Sequence, residues 1–180
     1  MSRYTPTYHA QSVYEIPAAF YKKIGVKNII IDLDNTLDSY RSLSPSERAI
    51  NLIENLKKAG YNVIIVTNNK KRRVEGYANE LEVNFLYSAR KPFAFKFNKL
   101  FEKYGLKKEE TILIGDQLIT DVRASKRVGI RSILTEKIVK EDQWTTHFNR
   151  LFDRPIRKKL AKQHKLRNWR EDYEWKCKKS

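Results

Sequence analysis

The stretch Lys27-Asn-Ile-Ile-Ile-Asp-Leu-Asp-Asn-Thr-Leu37 constrains the fold more than any other part of the chain. Three consecutive β-branched residues, Ile29, Ile30 and Ile31, carry no polar alternation. Such a run predicts a strand at about 28–33 that is buried on both faces of a parallel sheet. It ends in two carboxylates, Asp32 and Asp34. A carboxylate at the mouth of a buried strand is costly to desolvate unless something pairs with it. In open α/β sheets ligands lie outside the carboxyl ends of the strands. Residues one apart in a strand point the same way, so Asp32 and Asp34 are expected to face one pocket. A hard divalent cation held by oxygens is the natural partner of such a pair. One carboxylate can attack a phosphorus atom while the other moves a proton. A strand end followed by an Asp-Asn turn is the bland reading of the same residues.

The rest of the chain repeats the theme. Pro17 to Lys23 predicts a short helix. Ser44-Pro-Ser-Glu47 predicts a helix start, with Ser44 as cap, Pro45 in the first turn and Glu47 closing a capping box. Ile50, Ile53, Leu56 and Ala59 follow at helical spacing, and Gly60 ends the run. Val63 to Val66 is a second strand and Val83 to Tyr87 a third, with a helix from the basic run Lys70–Arg73 to about Leu81 between them. Lys91-Pro92 opens a helix with Phe93, Phe97, Leu100 and Phe101 on its apolar face. Thr111 to Ile114 is a fourth strand, Asp121 to Val128 a helix, and Arg131 to Thr135 a fifth strand. Alternating strands and helices predict an α/β, Rossmann-like fold: a parallel sheet of about five strands with helices on both faces.

Each strand end brings a polar group to the same edge of that sheet. The first gives Asp32 and Asp34, the second Thr67 and Asn68, the loop after the third Lys91, and the fourth Asp116 and then Asp121. Together they supply a nucleophile, a proton donor, donors for phosphate oxygens, a cation and a metal site, which is what phosphoryl transfer needs. Singly, each also reads as an ordinary cap, turn or surface charge.

This constellation resembles the haloacid-dehalogenase (HAD) phosphatases in all four of their motifs, in order. The phrases Asp32-Leu-Asp-Asn-Thr-Leu37, Val66-Thr-Asn-Asn69, Ala89-Arg-Lys-Pro92 and Gly115-Asp-Gln-Leu-Ile-Thr-Asp121 look like the YqeG-like group of HAD subfamily IIIA. That group is related to the mitochondrial phosphatidylglycerophosphate phosphatases. The resemblance implies Asp32 as a nucleophile forming an aspartyl-phosphate and Asp34 as general acid/base. It implies Thr67 as the hydroxyl on the phosphoryl group and Lys91 as the cation beside it. It implies Mg²⁺ bound by Asp32, the Asp34 carbonyl and Asp116, with Asp121 in support. Asn68, Asn35 and Gln117 are expected near the phosphate. Asp38 to Leu43 is too short to hold the cap domain that selects substrates in this family, so an open site is expected. Open sites suit substrates that bring their own bulk, such as a lipid headgroup, a protein or a nucleic acid.

Composition bears on partners. The 180 residues carry a net charge of +16, and from Arg150 onward there are 12 Lys/Arg against 4 Asp/Glu, half of that excess. The expected division is a phosphatase domain over 1–149 and a basic, helical tail over 150–180. Phe148, Leu151, Phe152, Ile156, Leu160, Leu166, Trp169 and Tyr173 recur at spacings of about three to five residues. Three readings of this tail stand: an amphipathic helix on an anionic membrane, an RNA-binding arm, or a helix packed on the domain. His147 and His164 form no ligand cluster. The single cysteine, Cys177, allows no internal disulfide and points to a reducing compartment. No stretch is apolar enough to span a bilayer or act as a signal peptide, so a cytoplasmic protein, or one peripheral on the membrane, is expected. The leading reading is a Mg²⁺-dependent phosphomonoester hydrolase acting on a phosphatidylglycerophosphate-like lipid phosphate. The alternatives are a nucleic-acid or ribosome-associated binding protein on the same scaffold, or a phosphatase of soluble nucleotide or sugar phosphates.

Overall fold

The computed structural model describes residues 3–138 and 144–174, with side chains placed for all of these except 144–150. His147, Phe148 and Cys177 therefore lie outside the described side chains. In chain order the elements are β1 (Tyr8–Ala10), α1 (Ala18–Lys23), β2 (Asn28–Asp32), α2 (Glu47–Lys58), β3 (Asn62–Val66), α3 (Lys71–Glu80), β4 (Asn84–Leu86), α4 (Phe95–Tyr104), β5 (Thr111–Gly115), α5 (Arg123–Val128), β6 (Arg131–Thr135), α6 (Trp144–Lys162) and α7 (Trp169–Glu174). The strands form one parallel sheet in the order β1-β6-β5-β2-β3-β4.

All five residues of β2 are buried, as an uninterrupted Ile run requires at the centre of a two-faced sheet. Successive side chains point to opposite faces and fill two cores. Ile29 and Ile31 pack with Val63, Ile65, Ile112 and Ile114 against Phe20, Ile53, Leu56 and Val74. Ile30 packs with Ile64, Val66 and Leu113 against Phe97, Leu100, Phe101 and Val128. The chain winds outward from β2 to β3 and β4, then returns on the other side of β2 through β5 and β6. This places the end of β2 at the switch point, where the crevice of an open α/β sheet lies.

Four details depart from the sequence expectation. The sheet has six strands, because Tyr8–Ala10 adds a three-residue edge strand on β6 that is too short to show a pattern. The helix cap is Ser46 and not Ser44: its hydroxyl accepts the Ala49 N–H, while Asp38 accepts the Ser46 N–H. The fourth helix begins at Phe95, which leaves Lys91 and Pro92 in a loop and Phe93 62% exposed. A π-helical turn, Leu118–Val122, precedes α5 where a regular helix from Asp121 is expected.

The junction expected at 149–150 falls inside α6. Leu160 is buried with Leu118, Val122 and Leu134, flanked by Ile156 and Leu166. Trp169 joins the core beside Phe20, edge-on at 5.4 Å between ring centroids. Its indole N–H donates to Glu15. Among the described residues no helix is long and apolar enough to cross a membrane.

Candidate active site

The chain leaves β2 in a tight turn. The Leu33 N–H donates to the Val66 carbonyl, and Leu37 and Asp38 both donate to the Leu33 carbonyl. Asn35 takes a left-handed backbone at φ 65°, where a short polar side chain is tolerated best after glycine. Asp38 is buried and accepts both the Ser46 N–H at 2.8 Å and the Tyr77 hydroxyl at 2.7 Å. It therefore ties the turn to the starts of α2 and the body of α3, and the connection closes without room for an inserted domain.

That turn separates the two acids. Asp32 ends the strand and points toward Lys91, whose Nζ lies 2.5 Å from Asp32 Oδ1 and 2.7 Å from Asp121 Oδ1. Asp34 lies beyond the strand, and its carboxylate turns to a different set of donors. The Thr67 hydroxyl donates to Asp34 Oδ2 at 2.8 Å and the Asn69 amide at 2.9 Å. Arg73 Nη2 stands 3.1 Å from Asp34 Oδ1. Thr67 also accepts the Asn69 N–H, so its hydroxyl is committed to holding this corner. Asn68, expected near the phosphate, brackets the Lys91 peptide instead. Its Oδ1 accepts the Lys91 N–H at 2.7 Å and its Nδ2 donates to the Lys91 carbonyl at 3.3 Å. Ser88 and Arg90 hold positive φ of 44° and 56° in the same loop, a costly backbone of the kind that clusters at functional sites.

On the other side of β2, Asp116 is fully buried after β5 and the π-helical turn swings Asp121 back toward the site. π-helical turns recur at functional sites because they re-aim one side chain. The Gln117 N–H and the Thr120 hydroxyl donate to Asp121 Oδ2. Gly115 has a space requirement of its own: a Cβ there would lie 2.3 Å from the Asp121 carboxyl carbon. The tail braces this loop. Asp153, itself buried, accepts the Leu118 and Ile119 N–H groups at 3.2 and 3.0 Å. Arg157 donates to the Asp116 carbonyl at 2.9 Å and pairs with Glu136.

Carboxylate oxygens of Asp32, Asp116 and Asp121 all lie within 4.8 Å of one another, and all three residues are buried. Among the described residues this is the group with metal-ligating geometry, and Asp121, expected from sequence only in support, stands inside it. The Asp34 side chain is not one of the three; it is held beside them by Thr67, Asn69 and Arg73, near enough that its charge helps raise the Asp32 carboxyl. Burial pushes the Asp32 carboxyl well above the usual carboxylate range, opposed by Lys91 and reinforced by Asp121, Asp116 and Asp34. Burial would lower the Lys91 ammonium, but Asp121 and Asp32 outweigh it and hold it above the usual lysine range. With all three carboxylates ionised, the single Lys91 ammonium would leave two negative charges in excess. A divalent cation on hard oxygen ligands offsets that excess, so the residues present fit such an ion.

Asn69, Arg73, Asp38, Asp153 and Arg157 were not singled out from the sequence. Asp153 had a signal, being the only acid between residues 150 and 170 of a basic segment. The others act through long-range contacts that no local pattern announces.

A parallel sheet with buried carboxylates and a buried lysine at the switch point defines a phosphoryl-transfer type of α/β enzyme. The family model "Haloacid dehalogenase-like hydrolase" matches residues 16–135, and the chain belongs to this family. It is 36% identical over 168 residues to a Bacillus subtilis (strain 168) protein named "Probable phosphatase YqeG", covering 93% of this chain and 97% of that one. A "Glyceraldehyde 3-phosphate phosphatase" of Pyrococcus furiosus is 26% identical over 113 residues, 58% of this chain and 46% of that one. Among solved structures, an uncharacterized protein of Listeria monocytogenes serotype 4b superposes with a TM-score of 0.52 at 14% identity, covering 65% of this chain and 85% of that one, which is a likeness of fold. The chain is a phosphatase of the HAD family.

Proposed function

We propose that this phosphatase is a Mg²⁺-dependent phosphomonoester hydrolase working through a phosphorylated Asp32, and that its substrate is a phosphatidylglycerophosphate-like lipid phosphate. The observation that carries the chemistry is the convergence of Asp32, Asp116 and Asp121 around the Lys91 ammonium. Asp32 Oδ attacks the phosphorus and the P–O bond to the alcohol breaks. Lys91, fixed by Asn68 on its backbone and by Asp121 on its head, sits where charge develops on the phosphoryl oxygens. Asp34, held by Thr67, Asn69 and Arg73, delivers a proton to the departing alkoxide and then takes one from the water that attacks the phospho-Asp32. Asp32, Asp116 and Asp121 would hold the Mg²⁺. Its charge offsets the repulsion between the Asp32 carboxylate and an incoming phosphate dianion.

The lipid substrate is supported by the open connection after β2, which leaves no domain to enclose a small molecule, and by the resemblance of the four motifs. The test is a phosphate-release panel with Mg²⁺ that includes phosphatidylglycerophosphate in anionic vesicles, p-nitrophenyl phosphate and soluble sugar and nucleotide phosphates, with Asp32→Asn as control. Selective hydrolysis of the lipid supports the proposal. Hydrolysis of soluble phosphates with the vesicles ignored rejects the lipid while keeping the phosphatase.

A further inference from the structure

We infer that the face formed by the β4–α4 connection docks on an anionic lipid bilayer. Phe93 and Phe95 are 62% and 66% exposed, although neither ring has a polar atom to justify contact with water. Both line one cleft of about 510 Å³ together with Ala89, Arg90, Lys91 and Lys96. Lys91 lines this cleft and is ion-paired to Asp32, so the cleft adjoins the candidate active site through that residue. Exposed apolar groups gathered at one place mark an interaction surface.

The charge of the patch selects the partner. Arg127 stands 5.2 Å over the Phe93 ring, Lys99 4.6 Å over Phe95, and Lys96 5.4 Å over the half-exposed Tyr87. Aromatic rings that enter the acyl boundary, surrounded by long basic side chains at headgroup level, are the composition of an interfacial anchor. The net charge of +16 favours an anionic surface at long range. In the tail, Ile156, Leu160, Leu166 and Trp169 are taken up by the domain, which leaves Leu151 and Phe152 as its exposed apolar side chains among the described residues. Docked by Phe93 and Phe95, the protein holds this cleft at headgroup phosphates, with Lys91, the partner of Asp32, in its wall. This surface deepens the lipid-phosphate reading and rests on it for its purpose, but the binding is measurable without turnover.

The test is co-sedimentation of the full chain with vesicles of phosphatidylglycerol and phosphatidylcholine, or of phosphatidylcholine alone, without Mg²⁺. Three variants are compared: Phe93→Ser/Phe95→Ser, Lys96→Glu/Lys99→Glu, and Lys158→Glu/Lys159→Glu on the exposed side of α6. Thermal melting and far-ultraviolet circular dichroism report whether each variant is folded. The expected result is binding to the anionic vesicles only. The phenylalanine pair should weaken it about tenfold or more, and the lysine pair at least fivefold per charge removed, about the worth of one basic residue near such a surface. The α6 pair should bind like the parent. No vesicle binding by the parent, equal binding by a folded Phe93→Ser/Phe95→Ser protein, or binding of single-stranded RNA in place of vesicles overturns the proposal. Vesicle binding without lipid hydrolysis leaves the surface standing and removes the lipid substrate.

Discussion

Gly115 and Asp121 share one space: the Cβ that Gly115 lacks would fall 2.3 Å from the Asp121 carboxyl carbon and 2.5 Å from its Oδ2. The glycine is there to let the π-helical turn close over the end of β5 and bring a carboxylate back to Lys91. Gly115→Ala is expected to displace Asp121 and reduce kcat/KM by about a hundredfold, the usual consequence of misplacing a site group by an ångström. The accompanying overpacking should cost about 1–3 kcal/mol. Phosphate release and chemical denaturation measure the two effects separately.

Lys91 holds together a site with too much negative charge. Lys91→Met keeps the bulk and removes the ammonium between Asp32 and Asp121. Turnover should fall by about a hundredfold to a thousandfold, as for loss of a preorganised electrostatic group. In EDTA the folded state should lose about 3–5 kcal/mol, because buried carboxylates are left without a counter-charge. Mg²⁺ should restore more stability to this variant than to the parent. Equal Mg²⁺ responses in the two proteins would mean that Lys91 and the cation do not share these carboxylates.

The Asp32 carboxyl is raised by burial, and this predicts a pH-dependent metal effect. Between the usual carboxylate value and its own raised pKa, the folded protein keeps a proton that the unfolded chain has released. This contribution to stability is therefore fully present at low pH and is lost as pH rises through that window. Mg²⁺ binds the ionised form and releases the proton. The stabilisation on adding Mg²⁺ should grow as pH rises above the usual carboxylate range, approaching the value set by saturation, about 2.7 kcal/mol at a hundredfold excess over Kd. Melting curves with Mg²⁺ and with EDTA across that range check it. An increment independent of pH would place the cation away from Asp32.

Asp153 links the C-terminal helix to the catalytic edge through the Leu118 and Ile119 N–H groups. Asp153→Ala leaves one buried and one part-buried donor without their carboxylate and should cost about 1–3 kcal/mol. It should also lower kcat more than it changes KM, because the turn it caps carries Asp121. Unchanged kinetics at a temperature where the variant is fully folded would limit Asp153 to a structural role.

The parts of this molecule that could be read from sequence are those with local causes. Ile29–Ile31, Val63–Val66 and Thr111–Ile114 announce buried strands because a strand covered on both faces needs apolar residues without alternation. The strand-end residues Asp32, Lys91 and Asp116 follow from the rule that open α/β sheets build sites at their carboxyl edge. The edge strand Tyr8–Ala10 was illegible because three residues hold no period. Phe93 fell at helical spacing before Phe97, yet the chain needs that turn as a loop to carry Lys91 inward, and this leaves Phe93 outside. Asp34 takes a different set of donors from Asp32 because the strand stops between them, which the alternation of an extended chain does not foretell. Its partners Asn69 and Arg73 come from more than thirty residues away, beyond the reach of any local pattern. The tail's apolar stripe was visible, but only packing shows that Trp169 and Leu160 spend it on the domain.

The account rests on Asp32 as the group that receives the phosphoryl. Acid-quenched enzyme, taken during turnover of p-nitrophenyl phosphate with Mg²⁺ and reduced with borohydride, tests this directly, because a phosphorylated aspartate is converted to homoserine that peptide mass spectrometry locates. Homoserine at position 32, absent without substrate and absent from an inactive Asp32→Asn protein, is the predicted result. Turnover by Asp32→Asn at the parent's rate, or homoserine at Asp34, Asp116 or Asp121 in its place, would contradict it.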